Sequence, residues 1–193
     1  MKVAVIKYNA GNIRSVTFAL ERLGVKAEIT DDFDYIRKAD KVIFPGVGEA
    51  GTTIKYLKNK GLDLLLKELK QPVLGICLGQ QLMCSYSEEG NTECIGIFDV
   101  SVLKFPQLLK VPHMGWNSLI NTGGEIFKGI PLESYVYFVH SFYVPLCKYT
   151  TAACDYIIKF SAALQKDNFF ATQFHPEKSG DTGHLILKNF IEL

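Results

Sequence analysis

Two short apolar runs end in glycine-rich turns, and each leads into a stretch with helical spacing: "DKVIFPGVG" at residues 40–48 and "PVLGICLGQQL" at residues 72–82. A strand buried on both faces reads as a continuous apolar run, because neither face meets water. Parallel strands must be joined by a crossover, usually a helix. The pattern therefore restricts the chain to an α/β architecture with helices on both faces of a mostly parallel sheet, in which ligand sites form at the carboxyl ends of the strands. Both glycine turns fall at such ends.

The first forty-eight residues fit the same plan. An apolar run Val3 to Ile6 precedes a turn at Asn9 to Asn12 and a helical stretch Ile13 to Leu23, where Val16, Ala19, Leu20 and Leu23 share one face. Gly24 stands where a C-terminal cap is expected, and "KAEIT" supplies a second strand. A further helix is predicted over Thr53 to Leu69, and another from Leu78 to Tyr86. After Gly90 the spacing changes to turn-separated strands, "GIFDVSVLKF", "YVYFVHSFYV", "YIIKFSAALQ" and "FFATQFHP", which read as a smaller mixed or antiparallel section closed by a helix from His184 to Ile191. No repeat or linker separates the halves, so residues 1–193 are expected to form one domain.

Composition narrows the function classes. With 21 Lys plus Arg against 20 Asp plus Glu, there is no charge surplus to attract nucleic acid or an anionic membrane. No signal peptide and no run of bilayer-spanning length is present, so a soluble cytoplasmic protein is expected. The five cysteines Cys77, Cys84, Cys94, Cys147 and Cys154 form no C-x-x-C pair and no zinc spacing. No metal or other cofactor is called for.

Cys77 is set apart by its surroundings. It follows an apolar strand, precedes a helix and is flanked by Gly75 and Gly79. Such an elbow lifts a side chain clear of a sheet and aims it at the positive end of a helix dipole, where a thiolate nucleophile is favoured. The other four cysteines read as small hydrophobes. His175 and Glu177, in "QFHPEKS", complete a candidate triad: Pro176 discourages helix, so both side chains are expected to project from one extended segment. His175 would accept the thiol proton, and Glu177 would hold its tautomer and support its charge. Either half alone is weak, since most cysteines are packing residues and most H-P-E runs are surface turns.

Together, G-I-C-L-G-Q-Q-L, Q-F-H-P-E-K-S and the upstream P-G-V-G resemble the class I, triad-type glutamine amidotransferases over nearly the whole chain. The resemblance implies a flavodoxin-like α/β fold, a Cys77, His175, Glu177 triad and hydrolysis of L-glutamine through a thioester. It further implies an oxyanion hole built from the N–H of Leu78 and that of Val47 or Gly48, each donor worth about 2.7–4 kcal/mol in such sites. For the substrate's amino-acid end the family pattern points to Gly46, Gln81, Glu89 and the segment His140, Ser141, Phe142. Lys7 and Gln80 depart from that pattern, where an acid and a Met are usual.

Within the family, "NAGNIRSV", "VPHMGWNSL" and "YFVHSFYV" are most similar to the glutaminase subunits of imidazole glycerol phosphate synthase. That likeness implies a water-excluded path for ammonia and a heterodimer with a TIM-barrel cyclase subunit. Asn12, Tyr137 and Lys178 match positions at the boundary between the two chains, and Trp116 in the expected "HMGWN" loop is either an interface anchor or a core or lid residue. Relatives that supply ammonia to bacterial surface-sugar pathways keep the same motifs, so that acceptor stays open here. The other readings are a free-standing glutaminase for anthranilate or carbamoyl phosphate, a cysteine hydrolase acting on peptides or γ-glutamyl conjugates, and a catalytically idle partner protein. Each is disfavoured by the combined motifs.

Overall fold

A computed structural model of the chain describes residues 1–8, 13–46 and 48–193. The first half alternates as expected: β1 (Val3–Ile6), α1 (Ile13–Arg22), β2 (Ala27–Thr30), α2 (Phe33–Arg37), β3 (Lys41–Phe44), α3 (Ala50–Lys60), α4 (Leu62–Glu68), β4 (Val73–Ile76) and α5 (Leu78–Met83). Strands then dominate: β5 (Cys84–Ser87), β6 (Thr92–Glu93), β7 (Phe98–Lys104), β8 (His113–Thr122), β9 (Tyr135–His140), β10 (Phe142–Tyr143), β11 (Thr150–Asp155), β12 (Lys159–Lys166) and β13 (Phe169–Thr172), with α6 (Gly180–Ile191) closing the chain.

The helices differ from the sequence reading in several places. The helix expected over Thr53 to Leu69 is two helices, because Gly61 takes a left-handed conformation (φ 71°) that ends α3. The helix expected to reach Tyr86 stops at Met83, since Cys84 turns extended and Cys84–Ser87 pairs with β6 and β7. Short α2 is absent from the sequence reading; it starts where Asp32 accepts the N–H of Tyr35 at 2.7 Å. Finally, α6 begins at Gly180 rather than His184.

The main sheet has the order β2-β1-β3-β4-β13-β12-β11-β8-β9. From β2 to β13 neighbouring strands run parallel, and from β13 to β9 they run antiparallel. The expected parallel core is present, and much of the antiparallel section continues the same sheet. A second sheet, β10-β7-β5-β6, stands beside it. Strand β1 shows how the layers form: Val3 and Val5 pack with Val16 and Leu20 of α1 and Phe190 of α6, while Ala4 and Ile6 face Leu57, Leu65 and Leu66 of α3 and α4. Alternate residues thus serve opposite cores, and burying each large aliphatic side chain contributes about 1.5–3 kcal/mol.

Strands β3, β4 and β13 are adjacent and parallel, so their carboxyl ends lie side by side. Pro45 and Gly46 follow the first, Cys77 the second and the His175–Glu177 segment the third. Three motifs far apart in sequence therefore meet at one edge of the sheet.

Candidate active site

Cys77 follows β4 directly, and its N–H donates to the Thr172 carbonyl of β13 at 2.7 Å. Its backbone is strained, at φ 53° and ψ −109°, a region that costs a non-glycine residue about 1–3 kcal/mol. Close packing maintains the elbow. A Cβ on Gly79 would lie 2.1 Å from the Phe44 carbonyl oxygen, and one on Gly46 would lie 2.2 Å from the Gly79 nitrogen, so glycine is required at both places. Gly46 thereby rests against the first turn of α5, with the Pro45 carbonyl accepting from the Tyr8 hydroxyl at 2.5 Å. The Leu78 N–H, in that first turn, has no carbonyl one turn behind it and is available to a ligand. Gly48 and Leu78 both line the cavity in front of Cys77. Val47 and Asn12 lie outside the described residues.

His175 and Glu177 do not project from an extended strand. Pro176–Lys178 is a 3-10 turn with Pro176 at its first position, where the missing N–H is no loss. The turn brings His175 Nδ1 to 2.8 Å from Glu177 Oε1, with both side chains buried. The His175 N–H donates to the Tyr137 carbonyl at 2.9 Å, and the Ser179 hydroxyl donates to the His175 carbonyl at 2.6 Å. Burial opposes a charge on this imidazole. Interaction with Cys77, the hydrogen bond with Glu177 and the negative charge of both outweigh it, and the pKa is pushed up to about 10. With Nδ1 held by Glu177, Nε2 of His175 is the nitrogen left for Cys77, whose interaction is the largest of those that raise the pKa.

A cavity of about 400 Å³ opens over Cys77 and His175. Gln81, Glu89, His140, Ser141 and Phe142 line it, and Gly46 does not. Glu89 Oε2 accepts the Ala50 N–H at the start of α3 at 2.9 Å, and burial raises its carboxyl above the usual range. Gln81 Nε2 donates to the Phe142 carbonyl at 3.0 Å and to Gln173 Oε1 at 2.9 Å. The site thus brings a carboxyl group, a thiol and a buried imidazole–carboxylate pair together around a polar wall.

Sequence reasoning missed what supports that wall. His140 Nδ1 lies 2.7 Å from the Phe142 carbonyl, which can only accept, so this nitrogen carries the proton. His140 Nε2 must then accept from His113 Nδ1 at 3.0 Å, and His113 Nε2 accepts from Asn117 Nδ2 at 3.3 Å. Tyr156 stacks on His113 with ring centroids 4.0 Å apart, and Phe105 lies 5.3 Å from His140. Burial in this aromatic box depresses His113 to about 4 and His140 to about 3. Gln173 also has no role in the sequence reading, although it stands inside the quoted "QFHPEKS" motif.

Other expectations resolve as follows. The "HMGWN" segment is strand β8 rather than a loop, because His113 to Ser118 pair in unbroken register with His140 to Tyr135 of β9. Trp116 is 54% exposed on it, opposite Tyr137, which excludes the core alternative. Lys178 is exposed one turn beyond His175. Cys84 and Cys154 are buried and Cys94 and Cys147 half-buried, all as free thiols. Gln80 is fully buried, its Nε2 donating to the Ser161 carbonyl at 3.4 Å. No helix among the described residues is long and apolar enough to cross a membrane.

The model of the family "Glutamine amidotransferase class-I" matches residues 4–193. The chain is 64% identical to "Imidazole glycerol phosphate synthase subunit HisH" of Bacteroides thetaiotaomicron, covering all of both proteins. It is 46% identical to the protein of that name from Pasteurella multocida, over 98% of this chain and 97% of the other. In fold it resembles PurLQS from Thermotoga maritima, with a TM-score of 0.75 at 14% identity, covering 99% of this chain and 97% of that one. A crystal structure of a glutamine amidotransferase gives a TM-score of 0.77 at 19% identity, over 98% and 97%. On the full-length family match and the full-length identity to its relatives, the chain belongs to the class-I glutamine amidotransferases, in the branch of the HisH subunits of imidazole glycerol phosphate synthase.

Proposed function

We propose that the chain hydrolyses L-glutamine at Cys77 and passes the ammonia to a TIM-barrel cyclase subunit, which uses it to make imidazole glycerol phosphate in histidine biosynthesis. The observation that carries the reading is the meeting of Cys77, His175 and Glu177 at the ends of β4 and β13, over a cavity lined by Gln81 and Glu89. The full-length identity to histidine-pathway subunits favours that acceptor over a surface-sugar precursor.

The geometry supports the following course. Glutamine enters with its α-ammonium toward Glu89 and its carboxamide toward Cys77. His175 takes the Cys77 proton, and its raised pKa favours the imidazolium beside a thiolate. The sulfur attacks the carboxamide carbon, and the negative oxygen is received by the N–H of Leu78 and that of Val47 or Gly48. His175 Nε2 returns its proton to the nitrogen, the C–N bond breaks, and ammonia leaves a Cys77 thioester. Water, deprotonated by His175, then releases glutamate. Glu177 accepts the Nδ1 hydrogen throughout and supports each imidazolium.

Ammonia must avoid protonation by bulk water, so its acceptor has to lie against this chain. The outward face of β8 and β9 suits such a partner. Met114, Trp116, Ile120 and Tyr135 are all at least 40% exposed on the main sheet's last two strands. Trp116 packs edge-on to Tyr137, whose carbonyl holds His175. Docking there would place the partner beside Lys178 and next to the triad. The reading makes residues 1–193 one amidotransferase domain working as a cytoplasmic heterodimer. Supplying amide-¹⁵N glutamine to the reconstituted pair should place ¹⁵N in the imidazole ring, whereas the isolated chain should hydrolyse glutamine only slowly. A stable pair that forms glutamate but unlabelled product would remove the ammonia-transfer claim.

A further inference from the structure

Gln173 is fully buried, and its carboxamide bridges two groups of the site: Oε1 accepts from Gln81 Nε2 at 2.9 Å, and Nε2 lies 3.8 Å from Cys77 Sγ. Amide nitrogen and oxygen have similar shapes, so an orientation must be argued from the partners. Here it is forced. The Phe142 carbonyl can only accept, so the Gln81 group facing it at 3.0 Å is the NH₂. That NH₂ also faces Gln173, which must answer with its oxygen. The Gln173 NH₂ is left facing the sulfur, and its orientation is locked by a carbonyl two residues along from His140.

Cys77 Sγ has a second contact, the Val139 carbonyl at 3.8 Å. The two contacts divide by protonation state. A thiol can donate its hydrogen to Val139, whereas a thiolate gains nothing from a carbonyl and is stabilised only by an N–H donor. We propose that Gln173 is a further catalytic residue: its N–H donates to the Cys77 sulfur, favours the thiolate and holds the sulfur with a lone pair directed into the cavity. Because the same amide is locked by Gln81, which lines the glutamine cavity, substrate placement and nucleophile orientation share one hydrogen-bonded chain. The inference rests on Cys77 being the nucleophile.

The test is the pH dependence of Cys77 alkylation by iodoacetamide in the full-length chain, read by mass on the Cys77 peptide so that half-buried Cys94 and Cys147 do not count. Gln173→Met keeps the volume and removes the N–H. Gln173→Glu keeps the bond accepted from Gln81 and puts an oxygen where the donor stood. A hydrogen bond to a charged group, long as this one is, supports a slowing of about tenfold at neutral pH in Gln173→Met, with the profile displaced about one unit to the alkaline side. Gln173→Glu should move at least as far. The rates should converge with wild type at high pH, which a merely structural defect would not produce. Profiles that superimpose on wild type, in either variant that melts as the wild type does, overturn the proposal. An unreactive Cys77 in the wild-type chain would instead undo the glutaminase reading itself.

Discussion

Acidification should unfold this protein through the histidine pair behind the cavity at Cys77. His113 and His140 are 3% and 5% exposed and are held neutral, at about 4 and about 3 against an ordinary value of 6.5. A base with a depressed pKa in the fold contributes stability that is complete above 6.5 and is lost as pH falls toward the folded value, because the unfolded chain binds the proton first. At pH 5 each histidine therefore costs about 2 kcal/mol, and the two about 4 kcal/mol, a large part of the ~5–15 kcal/mol that stabilises a typical domain. Raised His175 acts in the opposite window. Its contribution is complete below 6.5 and is lost as pH climbs through about 10, so it adds no slope on the acid side. Glu89, raised by burial, works weakly against the acid slope, which is why a difference between proteins is the clean observable. Urea unfolding of wild type and His113→Asn at pH 7 and pH 5 isolates one site. The variant should be less stable at pH 7, yet lose about 2 kcal/mol less than wild type on going to pH 5. Equal losses in the two proteins would refute the assignment of a neutral, proton-refusing pair.

Two further outcomes follow from the packing. Gly79→Ala places a methyl 2.1 Å from the Phe44 carbonyl oxygen and should cost about 1–3 kcal/mol through forced backbone movement, lowering the melting temperature by several degrees and glutamine turnover more steeply, since the Leu78 N–H moves with it. Calorimetry paired with a glutamate assay reads both, and an unchanged protein would mean that the elbow is looser than these contacts. Trp116→Ala should weaken the partner complex by at least about 2 kcal/mol, roughly thirtyfold in Kd, without altering the melting temperature of the free chain. Titration calorimetry showing an unchanged Kd would move the docking face elsewhere.

The elbow is legible in the sequence because its physics is local. A strand, a cysteine between Gly75 and Gly79, and a helix all fall within eleven residues, and the φ of 53° at Cys77 follows from that turn. The pairing of His175 with Glu177 is equally local, although Pro176 initiates a 3-10 turn rather than extending the chain. Strands β8 and β11 are hidden because their pattern is set by long-range partners. The alternation from His113 to Ile120 makes sense only against β9, and Gly115 (φ 133°) disguises it as a loop. Gln173 is harder still. It pairs with Gln81 across 92 positions and with Cys77 across 96, and a glutamine just past an apolar strand carries no sign of which sulfur it will face. His113 likewise reads as one histidine between Pro112 and Met114 until the fold brings His140 to 3.0 Å.

The central claim is that ammonia made at Cys77 feeds the partner's synthesis. Cys77→Ala in the reconstituted heterodimer tests it most directly, with imidazole glycerol phosphate formation followed first with glutamine and then with added ammonium salt. The account predicts that the variant loses glutamine-dependent synthesis, since no nucleophile remains over the cavity, and keeps the wild-type rate with ammonia. Glutamine-dependent synthesis that survives the substitution would contradict it.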